Sequence, residues 1–229
     1  MTITRPVTSK IRWLANAYYV AKRNVLEEGY ADEIDWQYTV SIDRVNEEIF
    51  LREAAWVILS SGMHERVVRQ RFPAISDAFF NWKSALVIIK NAEACRSHAL
   101  HHFRNSAKID AILAVADHVG SHGLEHVVDN LLENGIEYLQ QFPYIGPATS
   151  YHLAKNIGVM CAKPDRHLCR IANKLGYNCV QQLCIDISNV TDEPVPVIDS
   201  VLWRYATLHH NYLELLSELV STLQFTADQ

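Results

Sequence analysis

The chain has 229 residues, 49% of them hydrophobic, with 26 acidic against 21 basic side chains and a net charge of −5. That is enough apolar material for one large domain or two small lobes around a buried core. It excludes a protein that is basic all over, so a polyanion would have to be met by local faces.

The pattern in chain order is helical nearly throughout. The N-terminal MTITRPVTSK lacks the apolar core of a signal peptide, and no apolar run is long enough to cross a bilayer, so a soluble cytoplasmic protein is expected. Ile11, Leu14, Ala15, Tyr18, Tyr19 and Val25 then recur at three- and four-residue spacing. So do Ile49, Ala54, Val57 and Ile58, and after them Ile109, Ile112, Leu113, Ala116 and Val119. The stretches 125–132, 198–208 and 213–223 repeat the habit. Breaks are expected near Gly29, Gly62, Pro73, Gly120, Gly135, Pro143, Pro164 and Pro194/Pro196. Long alternating strand patterns, internal repeats and Ser/Gly linkers are absent from the sequence. About a dozen helices joined by short loops define an all-α fold, read here as a two-lobed helical bundle.

Five cysteines, odd in number and irregular in spacing, argue against a disulfide framework. Cys179 and Cys184 form a C-x4-C pair with no second pair near it, so no metal site is expected and the thiols read as buried or half-buried. Trp56, Trp82 and Trp203 read as core aromatics.

Charge is unevenly distributed. Between 27 and 48 there are eight acids and one Arg. Between 152 and 174, Lys155, Lys163, Arg166, Arg170 and Lys174 face Asp165 alone, with His152 and His167 in addition. A third stretch holds Arg96, Arg104, Lys108 and three histidines, and reads as a solvated surface.

The segment QFPYIGPATSYHLAKNIG, 141–158, carries the chemistry. A short helix over 135–140 cannot continue through Pro143. Gly146 is expected to take a left-handed conformation, and Pro147 suits the first turn of a new helix. Thr149, His152, Leu153, Asn156 and Ile157 follow at helical spacing. At such a hairpin, backbone amides at a helix N-terminus form a small positive pocket suited to a phosphate oxygen. Further on, Pro164 marks a sharp entry and Asp165 starts a helix that ends at Gly176. Asp165 is an N-cap by position, and an ionised carboxylate there also suits the stabilisation of positive charge on a sugar.

FPYIGPAT, with Asp165 of PDRH standing 17 residues after Ala148, resembles the helix-hairpin-helix DNA glycosylase superfamily. Upstream, FLREAAWVILSSGM (50–63) is similar to the family's early helix and wedge loop, and NSAKIDAILAVADHV (105–119) to its inter-lobe helix. The flavour is nearest the 8-oxoguanine glycosylase/lyase branch. The resemblance implies a core lobe over 46–176 and a second lobe from 1–45 and 177–229, with a cleft between them. It implies a monomeric DNA N-glycosylase that flips a modified or damaged base out of double-stranded DNA, in the cytoplasm or on a bacterial nucleoid. Asp165 would assist bond cleavage. Tyr144, Ile145, Gly146, Ala148, Thr149 and His167 would contact DNA, His152 and Arg166 would face the base, and the hairpin leaves room for a monovalent cation.

The departures from the family pattern alter the expected reaction. The lyase lysine position holds Ala148, so no amine is placed there to attack C1′, and hydrolysis by water is expected. Lys155 lies two helical turns on. It is either a replacement amine or a solvated, phosphate-contacting lysine. Tyr144 replaces the hairpin's first Gly. Gly62 stands where relatives insert a Gln, which leaves Met63 or His64 as the wedge. Nothing after Cys184 supplies the four cysteines of an iron–sulfur cluster, so no cofactor is expected. The alternatives are a non-catalytic DNA-binding module with the same grip, or a glycosylase-like enzyme turned to phage defence or hypermodified bases.

Overall fold

The computed structural model describes residues 9–227, with side chains described for 11–219; most of MTITRPVTSK lies outside that range. Every regular element among the described residues is helical. The chain divides into two compact units, one from 1–40 with 160–229 and the other from 41–159.

The first unit begins with α1 (Ser9–Glu27) and α2 (Ala31–Thr39). The chain then enters the second unit, which holds α3 (Glu47–Ser60), α4 (Glu65–Ala78), α5 (Ala85–Lys90), α6 (Ala92–His102), α7 (Ser106–His122), α8 (Leu124–Asn134) and α9 (Pro147–Asn156). Single 3-10 turns lie at Ile42–Arg44 and Phe80–Trp82, and a longer 3-10 segment spans Ile136–Gln141 where a short helix over 135–140 is expected. The first unit closes with α10 (Arg166–Lys174), α11 (Val180–Thr191), α12 (Val195–Leu208) and α13 (Tyr212–Ala227).

The core of the first unit follows the period of its helices. Leu14, Tyr18, Ala21 and Val25 of α1 meet Leu183 and Ile187 of α11, Ile198, Val201 and Leu202 of α12, and Leu216 of α13. Leu168, Ile171 and Ala172 of α10 are buried in the same cluster. That burial explains why residues 160–176 belong to this unit, although the sequence reading placed them with the hairpin.

In the second unit α7 is central. Its buried stripe, Ile109, Ile112, Val115, Ala116 and Val119, packs with α3, α5, α6 and α8. Asn46 and Asn105 start α3 and α7 by accepting from Ile49 N–H (2.9 Å) and Lys108 N–H (3.2 Å).

Packing overrides two of the expected breaks. Pro73 lies inside α4, which runs on to Ala78; α4 lies along α6, and Phe72 stacks on Trp82 at 6.0 Å. The chain breaks instead at Phe80, Asn81 and Trp82, all at positive φ. Gly120 lies inside α7, where a Cβ would come within 2.4 Å of Ile89 Cδ1 of the adjacent α5. It is a close-approach residue rather than a terminator, and Gly123 ends the helix.

Trp82 is fully buried, whereas Trp56 and Trp203 are half-buried. Cys95, Cys161 and Cys184 are buried and Cys169 is half-buried, but Cys179 is exposed, contrary to expectation. No helix among the described residues is long and apolar enough to cross a membrane.

Candidate functional site

The hairpin is anchored by Phe142, whose buried ring meets Phe50 edge-on at 6.2 Å and His118 at 5.2 Å. Ile145 N–H donates to Phe142 O at 3.1 Å, closing a turn with Pro143 and Tyr144 at its centre. Tyr144 has φ +65°. A Pro followed by a residue at positive φ is the pattern of a type II turn, which ordinarily asks for Gly at that second position. Gly146 sits instead at φ −101°, ψ −170°, an extended conformation open to any residue. The left-handed residue is thus Tyr144 and not Gly146, because the hydrogen-bonded turn centres two residues earlier than the Gly suggests. A non-Gly residue there costs about 1–2 kcal/mol.

Gly146 N–H donates to Thr149 Oγ1 at 2.7 Å, and Pro147 at the first helical position has no N–H. Of the four N-terminal amides that α9 leaves without intrahelical acceptors, only those of Ala148 and Thr149 remain open. Neither has an acceptor among the described residues. The side chain of Ile145 is buried, so this expected DNA contact packs into the core and its amide is engaged with Phe142. Tyr144 is 42% exposed. Residues 140–149 and Ser61 line an open concavity of about 600 Å³.

Ser61 belongs to the turn after α3. There Met63 N–H donates to Ser60 O, and Met63 and His64 are exposed. Lys108, on α7, joins this turn to the hairpin. It is 3% exposed, not the solvated lysine expected. Its Nζ donates to Leu59 O at 2.7 Å and to Ser61 O, and lies 5.6 Å from the centre of the Tyr144 ring. Burial holds its amine below the ordinary lysine value. The sequence carried one signal for it: Lys108 falls four residues before Ile112, on the buried stripe of α7.

At the far end of α9, Asn156 Nδ2 donates to Glu53 Oε2 of α3 at 2.9 Å, and burial pushes the Glu53 carboxyl up. Lys155 is also buried, so its reading as a solvated lysine does not hold. His152 is half-buried on the same helix.

In the other unit, Asp165 caps α10. Its Oδ1 accepts from His167 N–H at 2.8 Å and from Leu168 N–H at 3.0 Å. Its Oδ2 has no hydrogen-bond partner among the described residues. The loop before it is held by side chains that the sequence reading missed. Ala162 N–H donates to Gln181 Oε1 at 2.9 Å, and Lys163 N–H to the buried Asp199 at 2.6 Å. Neither partner is close in sequence, and no motif marks them.

Arg166 is exposed, its Nε 3.3 Å from His167 Nε2. His167 is half-buried with Nδ1 3.3 Å from Tyr212 Oη, and burial holds its imidazole below the ordinary value. The structure therefore gathers Tyr144, Gly146, Ala148, Thr149 and the turn of Met63 and His64 within 41–159. It gathers Asp165, Arg166 and His167 at the start of α10 in the other unit.

Among the described residues no group of three or more His, Cys, Asp or Glu side chains is placed to hold a metal ion. The hairpin carbonyls a monovalent cation would use, Phe142 O, Tyr144 O and Gly146 O, already accept from Ile145 N–H, Thr149 Oγ1 and Ser150 N–H. Comparison with family models, with curated proteins and with solved structures gives no match.

Proposed function

We propose that the protein is a DNA N-glycosylase that removes a modified or damaged base by hydrolysis. The observation that carries this reading is the divided Asp165 carboxylate, one oxygen tied to two amides of α10 and the other open at the positive end of that helix. Such a group is oriented without being neutralised, as charge stabilisation at a sugar requires. The two open amides of Ala148 and Thr149 suit a phosphate oxygen. Met63, exposed and unbranched, suits insertion into the gap left by a flipped nucleotide.

In this mechanism the bond from C1′ to the base breaks and its electron pair leaves with the base. Asp165 Oδ2 stabilises the cationic sugar, and water adds to C1′. One proton from that water is released, and the departing base gains one. With Ala148 at its position, that residue offers no amine to compete with water.

Tyr144 favours a second reading, a non-catalytic DNA-binding module. An aromatic side chain at this turn position makes the approach to DNA bulkier than the glycine it replaces. The experiment is mass spectrometry of bases released from variously modified duplexes by the wild type and by Asp165→Asn. Release by the wild type alone supports the enzyme. Equal release by both proteins sinks the proposed role of Asp165, and binding without release by either supports the module.

A further inference from the structure

We propose that Lys108 is a positioning residue that locks the hairpin to the turn after α3, so that Tyr144, Ala148 and Met63 meet DNA as one rigid surface. The proposal rests on the DNA-binding reading above and names what organises that surface. Its ground is the odd company Lys108 keeps. A buried ammonium ordinarily demands a carboxylate. Among the described residues none pairs with this one. Its charge is met by two backbone carbonyls, Leu59 O and Ser61 O, and by the face of the Tyr144 ring.

Each partner is itself a group in need. The last carbonyls of α3 have no intrahelical donors, and the negative end of a helix favours a cation. Tyr144 sits at positive φ, where the backbone alone would favour another conformation. The ring face over Lys108 gives the turn a reason to stay. Removing the ammonium therefore loosens the end of α3 and the hairpin together, though the two are some 80 residues apart in the chain. A lysine whose only task was to fill the core would tie neither.

Lys108→Met keeps the stem and removes the charge. Lys108→Arg restores donors and charge. Hydrogen exchange followed by mass spectrometry on the full chain reads the lock without DNA. In Lys108→Met, peptides covering 59–64 and 142–149 should exchange faster together while α1 and α12 keep wild-type protection, and Lys108→Arg should recover part of the loss. Duplex affinity should fall about tenfold.

Unchanged exchange at 142–149 in Lys108→Met overturns the lock, whatever the protein binds. Accelerated exchange throughout 41–159 overturns it as well, since Lys108 would then serve stability alone. A wild type that shows the paired change in Lys108→Met yet binds no duplex refutes the DNA reading and leaves the lock standing.

Discussion

Asp165 does two things at once in this reading, and the two are separable by choosing the substitution. Asn keeps an oxygen that can accept from His167 and Leu168 N–H, and it is as good an N-cap as Asp. Ala removes the acceptor. Losing the cap costs about 1 kcal/mol, which for a protein of this size lowers Tm by about 2–4 °C. The chemical cost is larger. A unit charge about 4 Å from a cationic sugar, at an effective dielectric constant of about 20, contributes about 4 kcal/mol, or about a thousandfold in rate. Asp165→Asn should therefore melt within about a degree of the wild type while base release falls about a thousandfold. Asp165→Ala should lose both activity and thermal stability. Calorimetry and single-turnover base release on the same preparations are the assays. An Asn variant at wild-type rate removes the carboxylate from the mechanism. An Ala variant as stable as the Asn variant refutes the cap as an energetic feature.

Three other predictions concern different parts of the molecule. Wild-type protein should give little adduct with abasic DNA under borohydride, whereas Ala148→Lys, which places an amine at the hairpin helix, should give a trapped covalent species; strong trapping by the wild type that disappears in Lys155→Ala would reverse the assignment. His118 is held below the ordinary imidazole value by burial, then by His122 and His126, and His167 is held down by burial too. The unfolded chain thus takes up protons first as pH falls below about 6.5, and stability present above that value is lost on acidification through the folded pKa values. Urea midpoints between pH 7.5 and 5 should fall, and should fall less in His118→Phe and His167→Phe. Gly158 has φ +100°, and a Cβ there would come within 2.2 Å of Ile42 N and 2.3 Å of Ser41 C. Gly158→Ala should cost about 2–5 kcal/mol in urea unfolding, and a cost under about 1 kcal/mol would mean the backbone at Ser41 moves aside freely.

The helical class was legible because the period of buried positions in α1, α3, α7 and α12 is a local property of the sequence. The Asp165 cap was legible for the same reason, since Pro164 and the apolar pattern after it mark a helix start. Pro73 and Gly120 misled because a breaker is overruled wherever neighbouring helices hold the segment, and those neighbours lie elsewhere in the sequence. A turn does precede α9, but its left-handed residue is Tyr144 and not the expected Gly146. Composition favoured Gly146, but the hydrogen bond from Ile145 to Phe142 sets the turn around Tyr144. Lys108 read as a solvated base because its partners are carbonyls almost 50 residues away, and backbone carbonyls leave no trace in residue identity. The unit boundary, drawn at 176 from the resemblance, falls at 159/160 because α10 buries its apolar face against α11 and α12.

The contact at Gly158 has a wider meaning. The chain enters the 41–159 unit at Ser41 and leaves it at Val159, and Gly158 lies directly against Ser41 and Ile42. The segment is thus a closed cassette whose first and last residues are neighbours. A piece of chain with adjoining ends can be spliced into a host loop, or removed from one, without stretching the helices on either side. Recombination could exchange the hairpin-bearing cassette while leaving the carboxylate-bearing helices in place. The requirement for glycine at 158 would travel with the cassette as the seal of the insertion.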